Sequence, residues 1–306
     1  MKIAVYGAGG IGGYFGGRLA LAGADVHLIA RGVHLSALQE GGLRVRSIAG
    51  DFEIRLPATD DPRAIGPCDY VLFCVKSYDT ESAAAHLHPL LHQNTAVLSL
   101  QNGIDNEKKI AQAIGWRHVM GGAAYIFATI AEPGVIVHNA GPGRIAFGEM
   151  DGTRSERAER FLALCREAGI PAEIREDIQV VLWEKFAFIC AQAGVTATTR
   201  LPTGEIREIP ETLEIFRRVV QEVMRVGRAE GIPLSEDLVD RCIATFRSLD
   251  PGAYSSLHHD LTHGRRMELE ALHGTVVRLA RKHGILVPMC EAIYAILKPW
   301  AARQEK

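Results

Sequence analysis

The feature that most constrains this chain is a glycine-rich turn, Gly7-Ala8-Gly9-Gly10-Ile11-Gly12, set directly behind the apolar run Ile3-Ala4-Val5-Tyr6. A short strand, a G-x-G-x-x-G turn and a helical stretch over Ile11–Ala22 specify a βαβ unit that closes with a second strand at Asp25–Ala30. Each glycine has a steric reason. Gly7 permits the tight turn, Gly9 lets a diphosphate reach the backbone, and Gly12 lets helix and strand pack closely. Amide groups at the start of the helix, with the positive end of its dipole, then favour an anion at Ala8, Gly10 and Ile11. A dinucleotide is the ligand this pattern predicts, and a ligand-free glycine turn is the plain alternative.

The residue that ends the second strand refines the ligand. NAD-binding chains usually carry Asp or Glu there to hold the ribose 2′-hydroxyl. This strand ends Ile29-Ala30-Arg31. A carboxylate would repel a 2′-phosphate, whereas a guanidinium can grip it with charge-assisted hydrogen bonds. Arg31 therefore predicts NADP(H).

Further along, Tyr70–Val75 and Ala96–Leu100 are continuous apolar runs, as expected of parallel strands covered on both faces, with a helix expected through Ser82–Leu91. Val135–His138 and Arg144–Phe147, separated by Asn139-Ala140-Gly141-Pro142-Gly143, read as a late hairpin. From about Ile178 helical periodicity takes over, in Val180–Thr196, Leu213–Glu230, Leu234–Leu249 and Arg265–His283, with Pro and Gly at the joints. The expected architecture is α/β, a doubly wound Rossmann-type sheet over residues 1–177, followed by an all-α domain over residues 178–306. A cleft between two such domains is where a small-molecule site is expected.

Composition excludes several classes. The 306 residues carry 34 Lys and Arg against 36 Asp and Glu, a net charge of −2, so no global field favours nucleic acid or an anionic membrane. The start, Met1–Tyr6, has the form of a strand rather than a secretory leader, and no run of about 18 apolar residues is evident. Six scattered cysteines without a Cys-x-x-Cys pair read as buried free thiols in a reducing cytoplasm, and no histidine spacing predicts a metal site. Nothing in the sequence decides between monomer and homodimer.

Several short patterns in order resemble the ketopantoate reductase (2-dehydropantoate 2-reductase) family. They are Gly7–Gly13, Arg31-Gly32-x-His34-Leu35, Gly42-Leu43-x-Val45, Val75-Lys76-Ser77-Tyr78 and Gln101-Asn102-Gly103. The series continues with Trp183-Glu184-Lys185-Phe186, Ser255-Ser256, Arg266-Met267-Glu268-Leu269-Glu270 and His283-Gly284-Ile285-x-Val287-Pro288. The resemblance covers almost the whole chain. It implies an NADPH-dependent reductase of a 2-oxo acid, with a helical second domain of the 6-phosphogluconate-dehydrogenase-like kind.

Residue chemistry and resemblance meet at a few positions. Lys76 follows an apolar strand at its carboxyl end, the edge where ligands bind in open α/β sheets; the resemblance makes it a cofactor contact. Asn102 is a turn asparagine by position, and by resemblance a cofactor and substrate contact. Lys185 lies in the apolar stretch Trp183–Ile189, so it either snorkels outward or is held in a cleft, where burial would lower its pKa and suit it to general-acid work. The resemblance makes Lys185 the catalytic lysine. It also places Glu268 near the nicotinamide ribose and Ser256 at the substrate carboxylate, although an exposed glutamate and a helix-cap serine are the plain alternatives.

In one place the pattern breaks. Family members typically carry asparagines four and eight residues after the catalytic lysine, and here those positions are Ile189 and Ala193. Gln192 and Thr196 share that helical face and are candidates for a replacement polar set. The expected function is reduction of 2-dehydropantoate to pantoate, as in pantothenate biosynthesis. The alternatives are a family oxidoreductase acting on another 2-oxo or imino acid, and a non-enzymatic NADP(H)-binding sensor.

Overall fold

The computed structural model describes residues 1–304, so the last two residues of the expected helical domain lie outside the description. The chain divides into two compact units. One holds residues 1–101 and 106–178; the other holds Asn102–Asp105 and the chain from Gln179 onward.

In the first unit the strands are β1 (Lys2–Tyr6), β2 (Asp25–Ile29), β3 (Leu43–Ser47), β4 (Phe52–Ile54), β5 (Ala58–Thr59), β6 (Tyr70–Phe73), β7 (Ala96–Ser99), β8 (Val119–Glu132), β9 (Val135–Glu149) and β10 (Ala172–Ile174). They form one sheet in the order β4-β3-β9-β8-β7-β6-β1-β2-β5, with β10 beside β9. The run from β5 to β8 is parallel throughout, and its order reverses direction between β1 and β6. That is the dinucleotide-binding arrangement, with its ligand crevice at the switch point. β6 and β7 are buried along their whole length, which is why the sequence shows them as unbroken apolar runs.

Helices α1 (Gly10–Leu21), α2 (Gly32–Gly41), α3 (Thr80–Ala84), α4 (Asn106–Ile114) and α5 (Glu156–Glu167) accompany the sheet. A core containing Phe15, Leu19, Phe147 and Phe161 covers one face; a second, with Phe73, Leu87, Leu90 and Ile110, covers the other.

The structure corrects two expectations here. Val135–His138 and Arg144–Phe147 are not two arms of a hairpin: both lie in β9, whose antiparallel partner is β8. The Asn139–Gly143 stretch is a bulge within the strand, with Gly141 and Gly143 at positive φ, and the register shifts opposite it. The true turn is at Pro133-Gly134. Its partner strand begins Val119-Met120-Gly121-Gly122, too glycine-rich to stand out as a strand. The helix expected through Leu91 stops at Ala84, and only a 3-10 turn, His88–Leu90, forms around Pro89. One helix, Ile178–Thr199, is long and apolar enough to cross a membrane by length and composition only, and 67% of its apolar window is buried inside the structure.

The second unit contains that helix, α6 (Ile178–Thr199), with α7 (Thr203–Glu208), α8 (Pro210–Ala229), α9 (Leu238–Ser248), α10 (Ser256–Thr262), α11 (Thr275–His283) and α12 (Pro288–Gln304). Its core gathers Phe186, Cys190, Phe216, Val223, Phe246, Leu269 and Val276, and Phe216 stacks on Phe246 at 4.3 Å. Glu222, buried on α8, accepts hydrogen bonds from the Met289 and Cys290 amides at 2.9 and 2.8 Å, capping α12 from a neighbouring helix. The helix expected from Arg265 begins only at Glu270, with a π-turn through Gly274 before α11. All six cysteines are free thiols, and burial pushes the Cys68 thiol up to about 11 and Cys165 and Cys242 to about 12.

Candidate active site

The nucleotide side of the site is built at the carboxyl ends of β1 and β2. Gly7 has φ +98°, a left-handed conformation that other residues rarely adopt, and its amide and that of Ala8 both donate to the Ile29 carbonyl. Gly12 is fixed by contact: a Cβ there would sit 2.2 Å from the Gly7 carbonyl oxygen and 2.8 Å from Val5 Cγ1. Gly10 is equally constrained, since a Cβ would meet the Ala128 carbonyl oxygen of β8 at 2.0 Å, a contact that the motif alone does not reveal. At Gly9 a Cβ would meet nothing within 4 Å, so the turn is open on that side. The first turn of α1 follows, with Ile11 half-buried and Ala8 buried. These residues fit a dinucleotide: an open loop backbone next to a helix N-terminus at the sheet's switch point.

Arg31 stands just past β2 as the N-cap residue of α2. Its side chain is 73% exposed, and Nη2 donates to Asp79 Oδ2 at 2.9 Å. Asp79 closes a short turn, Ser77–Asp79, whose preceding residue is Lys76, half-buried beyond the end of β6.

Gln101, buried at the end of β7, stitches the neighbouring loops together. Its Nε2 donates to the Val75 carbonyl and to Thr80 Oγ1, both at 2.8 Å, and Thr80 Oγ1 donates to Asn106 Oδ1 at 2.9 Å. The residue before Lys76 and the residue before Asn102 are thereby held in register. Local sequence gives no sign of this role, although Gln101 lies within Gln101-Asn102-Gly103. Asn102 itself is half-buried, in the segment Asn102–Asp105 that groups with the helical unit. There Asp105 pairs with Arg278 of α11.

On α6, the neighbours Phe186, Ala187, Cys190 and Ala191 are all buried, while Lys185, Ile189 and Gln192 are half-exposed at helical spacing. Glu184, the other charged residue of that turn, pairs with Arg241 at 2.5 Å. Ala193 is only 3% exposed. Thr196 is fully buried and its hydroxyl is committed, lying 2.7 Å from both the Gln192 carbonyl and Ser255 Oγ. Ser255, rather than Ser256, caps α10 by accepting from the His258 amide, leaving Ser256 half-buried at the first helical position. Glu268 is buried and lies in the irregular stretch ahead of the π-turn, not in a helix as expected.

Residues 3–152 match the model of the ketopantoate reductase PanE/ApbA family, and residues 177–301 match the model of that family's C-terminal domain. The chain belongs to the ketopantoate reductase family. A 2-dehydropantoate 2-reductase of Halobacterium salinarum is 33% identical over 97% of this chain and 98% of its own length. A PanE/ApbA family ketopantoate reductase from Ralstonia eutropha JMP134 is similar in structure, with a TM-score of 0.92, 34% identity and full coverage of both chains. The fold is shared more widely: a D-mandelate dehydrogenase solved with NADH and anilino(oxo)acetate superposes with a TM-score of 0.92 at 22% identity, covering 100% of this chain and 99% of its own. Family membership makes the chain a pyridine-nucleotide-dependent oxidoreductase of a small-molecule substrate.

Proposed function

We propose that this family member reduces a small 2-oxo acid with NADPH, with 2-dehydropantoate the first substrate to test, and that Lys185 is its proton donor. The observation that carries the reading is the partly exposed stripe Lys185, Ile189 and Gln192 at helical spacing on α6, bordered by the buried Phe186, Ala187, Cys190 and Ala193. The nucleotide, held by residues of 1–177, supplies the hydride. Charge then develops on the carbonyl oxygen of the substrate, and Lys185, from residues 178–306, donates a proton there. Asn102, Ser256 and Gln192 orient the substrate, Lys76, Asn102 and Glu268 serve the nucleotide, and Arg31 selects the 2′-phosphate. The free thiols, five of the six buried, fit residence in a reducing cytoplasm.

A second reading is favoured by one observation. Ile189 and Ala193 present no hydrogen-bonding group where the resemblance expects asparagines, and a fold relative acts on mandelate, whose side chain is apolar. On this reading the substrate is a 2-oxo acid with an apolar C3 substituent. Comparing kcat/KM for 2-dehydropantoate with that for 2-oxo acids bearing alkyl or aryl groups, each with NADPH and NADH, separates the two. A tenfold preference for an apolar acid establishes the second. Nucleotide binding without reduction of any 2-oxo acid overturns both and leaves a binding protein.

A further inference from the structure

We propose that His34 is a positioning residue of the nucleotide site, fixing the orientation of the glycine-rich loop and its distance from Arg31. The inference rests on the dinucleotide reading of that loop. His34 lies in the first turn of α2, three residues after Arg31. Its Nε2 is 2.8 Å from the Ala8 carbonyl oxygen, and its Nδ1 is 3.1 Å from the Gly134 amide nitrogen. A backbone N–H can only donate, so Nδ1 must present its lone pair to Gly134. The ring proton therefore resides on Nε2 and is donated to Ala8. One neutral tautomer satisfies both contacts.

The imidazole thus joins three segments distant in sequence: the loop at Ala8, the start of α2, and the β8–β9 turn at Gly134. That turn is itself held to β3, because the Arg44 amide donates to the Gly134 carbonyl at 2.9 Å. The consequence for the loop follows from peptide planarity. Across a trans peptide the C=O of one residue and the N–H of the next point in opposite directions, and the chain has no cis bonds. Drawing the Ala8 carbonyl towards His34 directs the Gly9 N–H to the other side, and Gly9 is the residue beside which a Cβ would meet open space. The same side chain sets the separation between that amide and Arg31 by a single turn of helix. Diphosphate and ribose contacts are therefore aligned before the nucleotide arrives, and a preorganised site binds more tightly because less ordering remains to be done.

Three variants test this in the full chain, with NADPH affinity from fluorescence titration, Tm, and kcat at saturating NADPH. His34→Gln can still donate to Ala8; His34→Asn keeps an acceptor for Gly134 only; His34→Ala keeps neither. The expected result is a rise in NADPH Kd of roughly tenfold for the Ala and Asn variants, the worth of about one buried hydrogen bond. The Gln variant should recover most of the affinity, and kcat at saturation should stay within about twofold of wild type. If the Ala variant does not fold, the Gln and Asn pair decides. The proposal is overturned if Gln and Asn bind NADPH equally well, or if Kd simply follows Tm across the series. A wild-type protein that binds neither NADPH nor NADH overturns the dinucleotide reading itself, a result distinct from either.

Discussion

Arg31 Nη2 donates to Asp79 Oδ2 at 2.9 Å, so the guanidinium proposed to read the ribose is already held by a carboxylate 48 residues further along the chain. The pair is solvent-exposed, and such pairs contribute no more than about 1 kcal/mol to stability. Arg31→Ala should leave Tm nearly unchanged while weakening NADPH roughly ten- to a hundredfold relative to NADH, the loss of charge-assisted hydrogen bonds to a 2′-phosphate. Asp79→Asn removes a like charge from that phosphate and should tighten NADPH several-fold. Equilibrium titrations of both nucleotides read both effects, and an unchanged NADPH-to-NADH ratio in Arg31→Ala would refute the selectivity assignment.

Lys185→Ala should lower kcat by about 10²–10⁴-fold, the usual contribution of a positioned proton donor. NADPH affinity should remain within about twofold, because the nucleotide's own contacts are assigned to other residues. Steady-state kinetics and a binding titration on the same preparation make the comparison, and turnover that survives the substitution removes Lys185 from the mechanism.

Ile189 lies one helical turn after Lys185 on the half-exposed face of α6, so an amide can be placed there without burying it completely. Ile189→Asn should raise kcat/KM for 2-dehydropantoate relative to an alkyl 2-oxo acid by about tenfold if that face contacts the substrate. Ala193→Asn, at a position only 3% exposed, should mainly lower Tm, since an amide buried without a partner costs about 1–3 kcal/mol. A substrate ratio unmoved by Ile189→Asn would place that face away from the substrate.

His273, in the π-turn ahead of α11, is fully buried, and neither ring nitrogen has a well-formed hydrogen bond among the described residues. Burial pushes its pKa down to about 4, with the nearby Cys190 backbone offsetting part of the effect. The unfolded chain, with an ordinary pKa near 6.5, takes up the proton first on acidification. The stability conferred by the neutral ring is therefore complete above pH 6.5 and declines as pH falls towards 4, by about 3 kcal/mol in total. Denaturant unfolding at a series of pH values should show this slope, and His273→Phe should flatten it. A slope unaltered by the substitution would assign the acid sensitivity to other groups.

Much of the cofactor half was legible because its constraints are local. A turn that needs positive φ at Gly7 and close packing at Gly12 can be met by few residue types, so the pattern shows in six consecutive positions. The absence of an acid at Arg31 is equally local. The helical half was legible as a class but not in its joints: Glu268 looked helical because its neighbours are apolar at helical spacing, yet the chain runs irregularly there before the π-turn. Periodicity records which residues are buried, not whether the backbone between them is regular.

By itself the sequence determined the β1–α1–β2 unit with its glycine loop and the helical class of the second half, because each depends on residues adjacent in the chain. Only the tertiary structure decided what those residues lean on. The partner of β9 was β8 rather than a segment of β9 itself, and Gly10 was dictated by Ala128. Arg31 found Asp79, His34 tied Ala8 to Gly134, and Thr196 was withdrawn from the α6 face by Ser255. Apart from the β8–β9 pairing, these contacts join positions from 26 to 118 residues apart. No local pattern encodes them, because hydrogen bonds and steric limits act through space between segments that only the fold brings together.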